Sequence, residues 1–582
     1  MAQRSAGAKD ALPCPNDFFD GLLPSIPARA GRDYHVPMRL SAALSLVLAL
    51  LLLPAAGDDP SAEVVASFKR FYATAKLPRD RYEAVLVLKD VNTPSAAEAL
   101  LAPLEDEDFG VRRAAIETLG GYKREDIAHW LVDTVLADRK IGKKPLLRAG
   151  CVEALGSMGW AFAYEPAAAA LADKDTGLKL AAMTALGKLH NPKACPALTV
   201  AAADADGAIA LAALDALSLI GSAEGAQEAV VGAFKHADWR VRARAIEATV
   251  ALRLKAGVGP LIEAYATEDG RLRGDAIQAL RTSTCWDLGD DPEAWRNWWK
   301  DKEATFVMPD PEKIAAALAK AKSTGSTQMA VKKAPGEKQF LTVSTRSESM
   351  VFVIDVSGSM DIPFGDPERL KVTGRSYPSL QRLAIVKEEL TATINDLPET
   401  TSFNIMAFAS EVKPWKKDPV KANVLNKAAA IDWVRKLQPL GLKTGGTSFD
   451  TQVGLKVEQN TEGATNTFLA LMTALGVPEQ GVGGGFGGNA KPKQSTGSGP
   501  GGAVGFETQT PLRNAYDTIF FLTDGEPTVG KTVDMFEIRR EVLRVNQYRG
   551  VQIHVIYVGE VGGQEMADLA KENGGVFVKI GG

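Results

Sequence analysis

Asp355, Ser357 and Ser359 stand at every second position of VFVIDVSGSMD, just where the apolar run Val351 to Ile354 ends. Alternate side chains of an extended chain point the same way. One carboxylate and two hydroxyls can therefore be aimed at a single point. A second acidic run end lies in IFFLTDGEPT, where Asp524 follows Ile519 to Thr523. Between them, GATNTFLALMTALG is a Gly-x-Thr loop leading into a helix and offers Thr465; GGTSFD offers Thr447 instead. Two Asp, two Ser and one Thr are all hard oxygen donors, and no His or Cys accompanies them. That inventory suits Mg²⁺ or Ca²⁺ and disfavours zinc.

To bring these groups together the chain needs a sheet whose strands end on one rim. From Ser349 onward, strand-like apolar runs alternate with amphipathic helices. Strands are expected at 351–355, 402–409, 518–523, 551–558 and 576–580. Helices are expected at 379–397, 421–437, 466–475, 534–548 and 564–573. This alternation specifies a mostly parallel sheet covered by helices on both faces. Ligands of such doubly wound sheets bind at the carboxyl ends of the strands, which is where Asp355 and Asp524 fall.

Asp355-x-Ser357-x-Ser359, the Gly-x-Thr loop and Leu522-Thr523-Asp524-Gly525 together resemble the von Willebrand factor type A (VWA) domain, a Rossmann-like α/β fold, over residues 348–582. The resemblance implies a metal-ion-dependent adhesion site. In it Ser357, Ser359 and the Thr bind the metal directly, while Asp355 and Asp524 hold it through waters. It implies Mg²⁺, with Mn²⁺ or Ca²⁺ as alternatives, and a protein partner that supplies an acidic side chain to the metal. Thr465 is preferred as the Thr because Ala470, Leu471, Ala474 and Leu475 follow it as the family's helix does; 441–462 is then an insertion, and Thr447 stays the alternative. The Gly-rich stretch 481–505 contains a formal Gly-x-Gly-x-x-Gly. It neither follows a strand nor opens a helix, so it reads as a flexible insertion and not as a dinucleotide site.

The N-terminal half is periodic. Leu88, Leu119, Leu155, Leu186, Leu217, Thr249 and Leu280 occupy equivalent places in patterns such as VRRAAIETLG and LKLAAMTALG, separated by 31, 36, 31, 31, 32 and 31 residues. Two Ala-rich helices per period and no strand signal specify an α-solenoid. The V-R-x-x-A-x-x-A-L-G pattern resembles short HEAT repeats. Asp108, Asp175, Asp238 and Asp269 each precede a cation by four residues, which predicts a capped helix start with an ion pair one turn on. Trp295, Trp298 and Trp299 fall at helical spacing after the last repeat and are expected to cover its core.

The chain's 582 residues suggest several domains, and its formal net charge of −4 leaves no footprint for nucleic acid or an anionic membrane. Four cysteines make no disulfide framework in a chain of this length. Arg39, the apolar run Leu40–Leu53 and the small residues before Asp58 form a secretory signal pattern. Met38 then reads as the start, and 1–37 as untranslated or disordered; an uncleaved anchor is the alternative. The divisions are 38–57 leader, 58–305 repeats, 306–347 linker with a flexible joint, and 348–582 VWA domain.

His35, His129, His190, His236 and His554 share no local motif with a nucleophile and an acid, and there is no G-x-S-x-G, H-E-x-x-H or P-loop. The expectation is therefore a non-enzymatic, exported protein (periplasmic, cell-surface or secreted) that binds partners through the metal rim and the repeat surface. The alternatives are a metal-dependent hydrolase using Asp361 or Asp450 as base, and a component of a chaperone-like assembly with an ATPase partner.

Overall fold

The computed structural model describes residues 60–141, 144–316, 338–340, 343–345, 347–364, 377, 379–440, 463–477, 516–559 and 562–580. Residues 1–59, with the expected leader, and the segments 441–462 and 478–515, which contain Thr447, Asp450 and the Gly-rich stretch, lie outside the described residues.

Each period of the N-terminal half supplies one long helix: α1 (Pro78–Val87), α2 (Phe109–Gly121), α3 (Pro145–Met158), α4 (Thr176–Lys188), α5 (Gly207–Ile220), α6 (Trp239–Ala251) and α7 (Gly270–Thr284). These stack as one row, with shorter helices such as Cys195–Ala202 and Val258–Thr267 behind them. The core is continuous from repeat to repeat and rich in Ala and Leu, with Leu119, Leu186, Leu217 and Leu280 fully buried. The one 36-residue period is absorbed by a π-helical turn at Leu131–Leu136 and the loop after it. Asp108, Asp175 and Asp238 cap their helices through the carboxylate, Asp108 accepting Val111 N–H at 3.1 Å; Asp269 makes no such bond.

Two of the four expected cations make other bonds. Arg112 donates to the carbonyls of Asp106 and Glu107, at 2.6 and 3.0 Å, and Arg242 pairs with Glu268 of the next repeat at 2.6 Å. The Asp238 carboxylate is taken by Arg240 and that of Asp108 by Lys531 at 3.1 Å, and the long guanidinium groups of Arg112 and Arg242 reach past them. Trp295 is fully buried, donating to Gly289 O at 3.2 Å, and Trp298, Trp299 and Phe306 pack around it to close the array. Cys151 and Cys195 are buried as thiols, whereas Cys285 is exposed at the end of α7.

The C-terminal half holds a seven-stranded sheet in the order β5-β4-β3-β7-β8-β9, with β6 also on β4. The strands are β3 (Ser349–Asp355), β4 (Ser402–Phe408), β5 (Val412–Pro414), β6 (Val420–Lys421), β7 (Thr518–Thr523), β8 (Gln552–Val558) and β9 (Phe577–Ile580). β3 pairs in parallel with both β4 and β7. Along β3, Phe352 and Ile354 enter the core on one face, and Val351 and Val353 the core on the other. Helices α8 (Arg382–Asp396), α9 (Val424–Arg435), α10 (Thr467–Ala474), α11 (Met535–Asn546) and α12 (Gln564–Glu572) complete the layers.

Two expectations need correction. A small antiparallel hairpin, β1 (Lys338–Phe340) with β2 (Val343–Thr345), occupies the stretch read as linker. Val343 belongs to the α/β core, and Ser347 hydrogen-bonds to the Asp517 carboxylate. Each strand is three residues long with two polar residues side by side, too short and too polar to signal a strand. The two halves are also docked and not merely tethered. Arg540 of α11 donates to Glu117 at 2.7 Å and to the Tyr82 hydroxyl at 3.2 Å, and the Arg544 guanidinium lies 3.5 Å from the Phe109 ring centroid. In return Arg240 and Arg244 donate to the carbonyls of Tyr548 (3.1 Å) and Gln547 (3.3 Å), just past the end of α11, and Arg271 donates to those of Gly550 and Asp517. Tyr548 packs against the repeat core, and burial pushes its hydroxyl up to about 12.

Candidate metal centre

The chain runs from β3 to β4 on one side, then returns to β7 on the other side of β3. The carboxyl ends of β3 and β7 thus border the point where the winding reverses, the usual crevice of such sheets. Asp355 is the last residue of β3 and is fully buried. One of its oxygens accepts Ser357 N–H at 2.8 Å and the other accepts the Thr523 hydroxyl at 2.7 Å. Ser357 then opens a 3₁₀ turn, Gly358–Asp361, which brings Ser359 round beside it. The two hydroxyl oxygens are 3.1 Å apart, and Ser359 donates to Asp524 Oδ1 at 2.7 Å.

Four of the five residues picked out by spacing therefore form one connected cluster. Thr465 arrives beside it on the loop before α10. Gly358 N–H donates to Gly463 O at 3.3 Å, and Thr465 N–H donates to Thr528 Oγ1 at 2.8 Å. Gly463 has φ +85°, and a Cβ on it would sit 3.1 Å from Leu440 O and 3.4 Å from Gly358 N. Only glycine allows both that backbone turn and that approach. Thr465 itself is buried.

Burial pushes the Asp355 carboxyl up to about 7, and the neighbouring Asp524 charge adds to this; the bonds from Ser357 and Thr523 oppose it. A buried carboxylate beside a second carboxylate is an electrostatic deficit that a cation relieves. Part of that relief is internal. Arg382, in the first turn of α8, donates to Asp524 Oδ2 at 2.7 Å. Its Nε is buried without a partner. Sequence reasoning missed Arg382, because its distance from Asp355 along the chain carries no periodic signal. Thr523 was visible only as the residue before Asp524. Among the described residues no group of three or more His, Cys, Asp or Glu could hold a metal. A metal here would be held by hydroxyls as much as by carboxylates, and the all-oxygen set fits Mg²⁺. Asp361, a candidate base, accepts from the Gln381 amide at 3.0 Å.

Residues 374–479 match the von Willebrand factor type A domain and residues 72–141 match HEAT repeats. A 99-residue stretch is 32% identical to inter-alpha-trypsin inhibitor heavy chain H1 of Mesocricetus auratus, covering 17% of this chain and 9% of that protein. A 114-residue stretch is 28% identical to inter alpha-trypsin inhibitor, heavy chain 4 of Mus musculus, covering 20% of this chain and 10% of that protein. The chain thus spans about a tenth of the length of these relatives. Among solved structures, Escherichia coli YibA overlays 50% of this chain and 99% of its own at 17% identity and a TM-score of 0.31. An aerotolerance-related membrane protein from Bacteroides fragilis overlays 40% and 90% at 13% identity and 0.22. At these TM-scores neither carries an argument about the fold. The family matches and the observed architecture agree: the chain joins a HEAT-repeat array to a von Willebrand factor type A domain.

Proposed function

We propose that this chain is a non-enzymatic interaction protein of the extracytoplasmic space, which binds a partner protein through a divalent cation, Mg²⁺ in first place, on the VWA rim. The observation that carries the reading is the cluster Asp355–Ser357–Ser359–Asp524 at the winding reversal, with Thr465 delivered beside it by the Gly358–Gly463 contact. Ser357, Ser359 and Thr465 are the proposed direct ligands; Asp355 and Asp524 are proposed to orient water around them. Hydroxyl ligands leave most of the charge on a dication unneutralised, so an open position attracts a carboxylate of the partner. The role in protein interaction is supported by the VWA match and by the likeness to the inter-alpha-trypsin inhibitor heavy chains.

The test is capture from an envelope extract by the immobilised full chain, with Mg²⁺ and with chelator, beside an Asp355→Ala variant. A partner retained only with Mg²⁺ and only by the unmodified rim supports the reading. Equal retention under all conditions refutes it, as does failure of the full chain to take up Mg²⁺, Mn²⁺ or Ca²⁺ at millimolar concentration.

A further inference from the structure

The segment that touches Thr465 is also the segment that the repeat array holds. Thr528 accepts Thr465 N–H through its hydroxyl at 2.8 Å, and returns its own N–H to Thr465 O at 2.9 Å. Gly530 follows with φ +130°, and a Cβ on it would come within 2.4 Å of Asn466 Oδ1. The chain here lies directly against the residue after Thr465. Lys531 comes next. Its ammonium sits 5.7 Å from the ring centroid of Phe468, in the first turn of α10, and 3.1 Å from Asp108 Oδ2 at the start of α2. Both partners of that ion pair are largely enclosed, with side-chain exposures of 25% and 13%. Three residues on, Asp534 caps α11, whose Arg540 and Arg544 engage Glu117, Tyr82 and Phe109. Beyond the far end of α11, Arg240, Arg244 and Arg271 bind main-chain carbonyls, at the pole where a helix favours cations.

We propose that the repeat array is a built-in partner of the metal rim. By gripping Lys531 and α11 it fixes residues 528–531 and thereby the position of Thr465. Residues 524–534 form neither helix nor strand. Ordering such a segment costs backbone entropy at every residue. It is pinned at one side by Thr465 and at the other by Asp108. Releasing the Asp108 side returns freedom to the segment and weakens the pin on Thr465. The metal-affinity readout of this proposal rests on the metal reading above; the docking readout does not.

The experiment uses the full chain with Lys531→Glu, with Arg540→Glu, and with the charge swap Arg540→Glu/Glu117→Arg. Hydrogen exchange is followed by mass spectrometry, and Mg²⁺ affinity by calorimetry. Each single variant is expected to exchange faster across 525–534 and 465–468 while β3, β7 and β8 stay protected. Each is expected to bind Mg²⁺ roughly 5-fold or more weakly, the lower end of ordinary coupling between sites. The swap restores the attraction to residue 540 while setting residue 117 against Arg113, which donates to Glu117 at 2.9 Å, so it is expected to recover both properties in part. Singles that exchange and bind like the unmodified chain overturn the proposal. A swap that recovers neither property overturns it too, because the effect is then local damage. If the unmodified chain takes up no Mg²⁺, the metal reading fails separately, and the exchange data alone still decide whether the array holds the segment.

Discussion

Replacing Arg382 by Ala removes the cation that pairs with Asp524 on the rim. The Asp524 side chain is fully buried and that of Arg382 only 16% exposed, so little water is at hand to take over. Deleting one member of a buried pair costs about 3–5 kcal/mol, because the other charge is left uncompensated. Two features set this case at the lower end. Ser359 still donates to Asp524 at 2.7 Å, and Arg382 already carries a buried Nε without a partner. About 3 kcal/mol, at about 2–4 °C per kcal/mol for a unit of this size, is a fall of roughly 6–12 °C in the unfolding midpoint of the α/β part in chelator.

A dication on the rim supplies the missing charge. A ligand at 100 times its Kd stabilises the state it binds by about 2.7 kcal/mol, and the variant no longer offers Asp524 a competing guanidinium. The gap shrinks by the difference in Mg²⁺ stabilisation between the two chains, so a variant that binds Mg²⁺ about 10-fold more tightly narrows it by about 1.4 kcal/mol, roughly half. Arg382→Lys, which keeps the charge, should lie between the two in chelator. The assay is differential scanning calorimetry of the full chain, with and without Mg²⁺. A gap that Mg²⁺ leaves untouched would refute the idea that arginine and metal share Asp524, and no gap in chelator would refute the structural role of the pair.

Thr465→Ala should weaken Mg²⁺ binding by at least about 10-fold, the loss seen even when a group that only orients a metal ligand is removed, and Thr447→Ala should leave it unchanged; the reverse pattern in calorimetry would move the loop assignment to Thr447. His554 is held neutral, with burial and then Arg271 pushing it down to about 4 against an ordinary 6.5. The unfolded chain therefore binds more protons between these values, so stability is fully present above pH 6.5 and lost as pH falls toward 4, by about 2–3 kcal/mol. Urea titrations of His554→Gln at pH 7 and pH 5 should show a smaller acid-side loss than the unmodified chain, and an equal loss would assign that slope to other groups. N-terminal sequencing of the native protein should begin near Asp58; recovery of intact residues 1–57 from a cytosolic fraction would remove the export reading.

The sheet was legible where apolar runs are long and bounded. β7 was expected at 518–523 and observed at Thr518–Thr523, and α8 was expected at 379–397 and observed at Arg382–Asp396. The acidic strand ends were legible for the same reason, since a carboxylate directly after buried β-branched and aromatic residues marks the edge of a core. Short edge elements were not. β5 and β6 span three and two residues, and β1 and β2 carry Lys, Gln, Ser and Thr with too little apolar alternation to signal a strand. Arg382 and the docking contacts were invisible because they depend on tertiary approach: Arg540 and Tyr82 are 458 positions apart. The capping Asp residues are legible at three of four starts, but the partners of their cations are not, because Arg112 and Arg242 reach carbonyls of the preceding turn.

A stack of repeats in which each touches only its neighbours unfolds piecemeal, from an end, much like a one-dimensional chain of weakly linked units. α11 and the turn after it alter that behaviour. They reach α1 and α2 near one end of the stack and α5, α6 and α7 toward the other. This acts as a strut across the coil. It ties the pitch of the stack to the α/β domain and makes fraying of the early repeats cost contacts with a domain made after them during synthesis. The early repeats emerge from the ribosome hundreds of residues before their strut does. Their full mechanical stiffness, and any single sharp unfolding transition shared by the two halves, then exists only once the strands around that strut have closed.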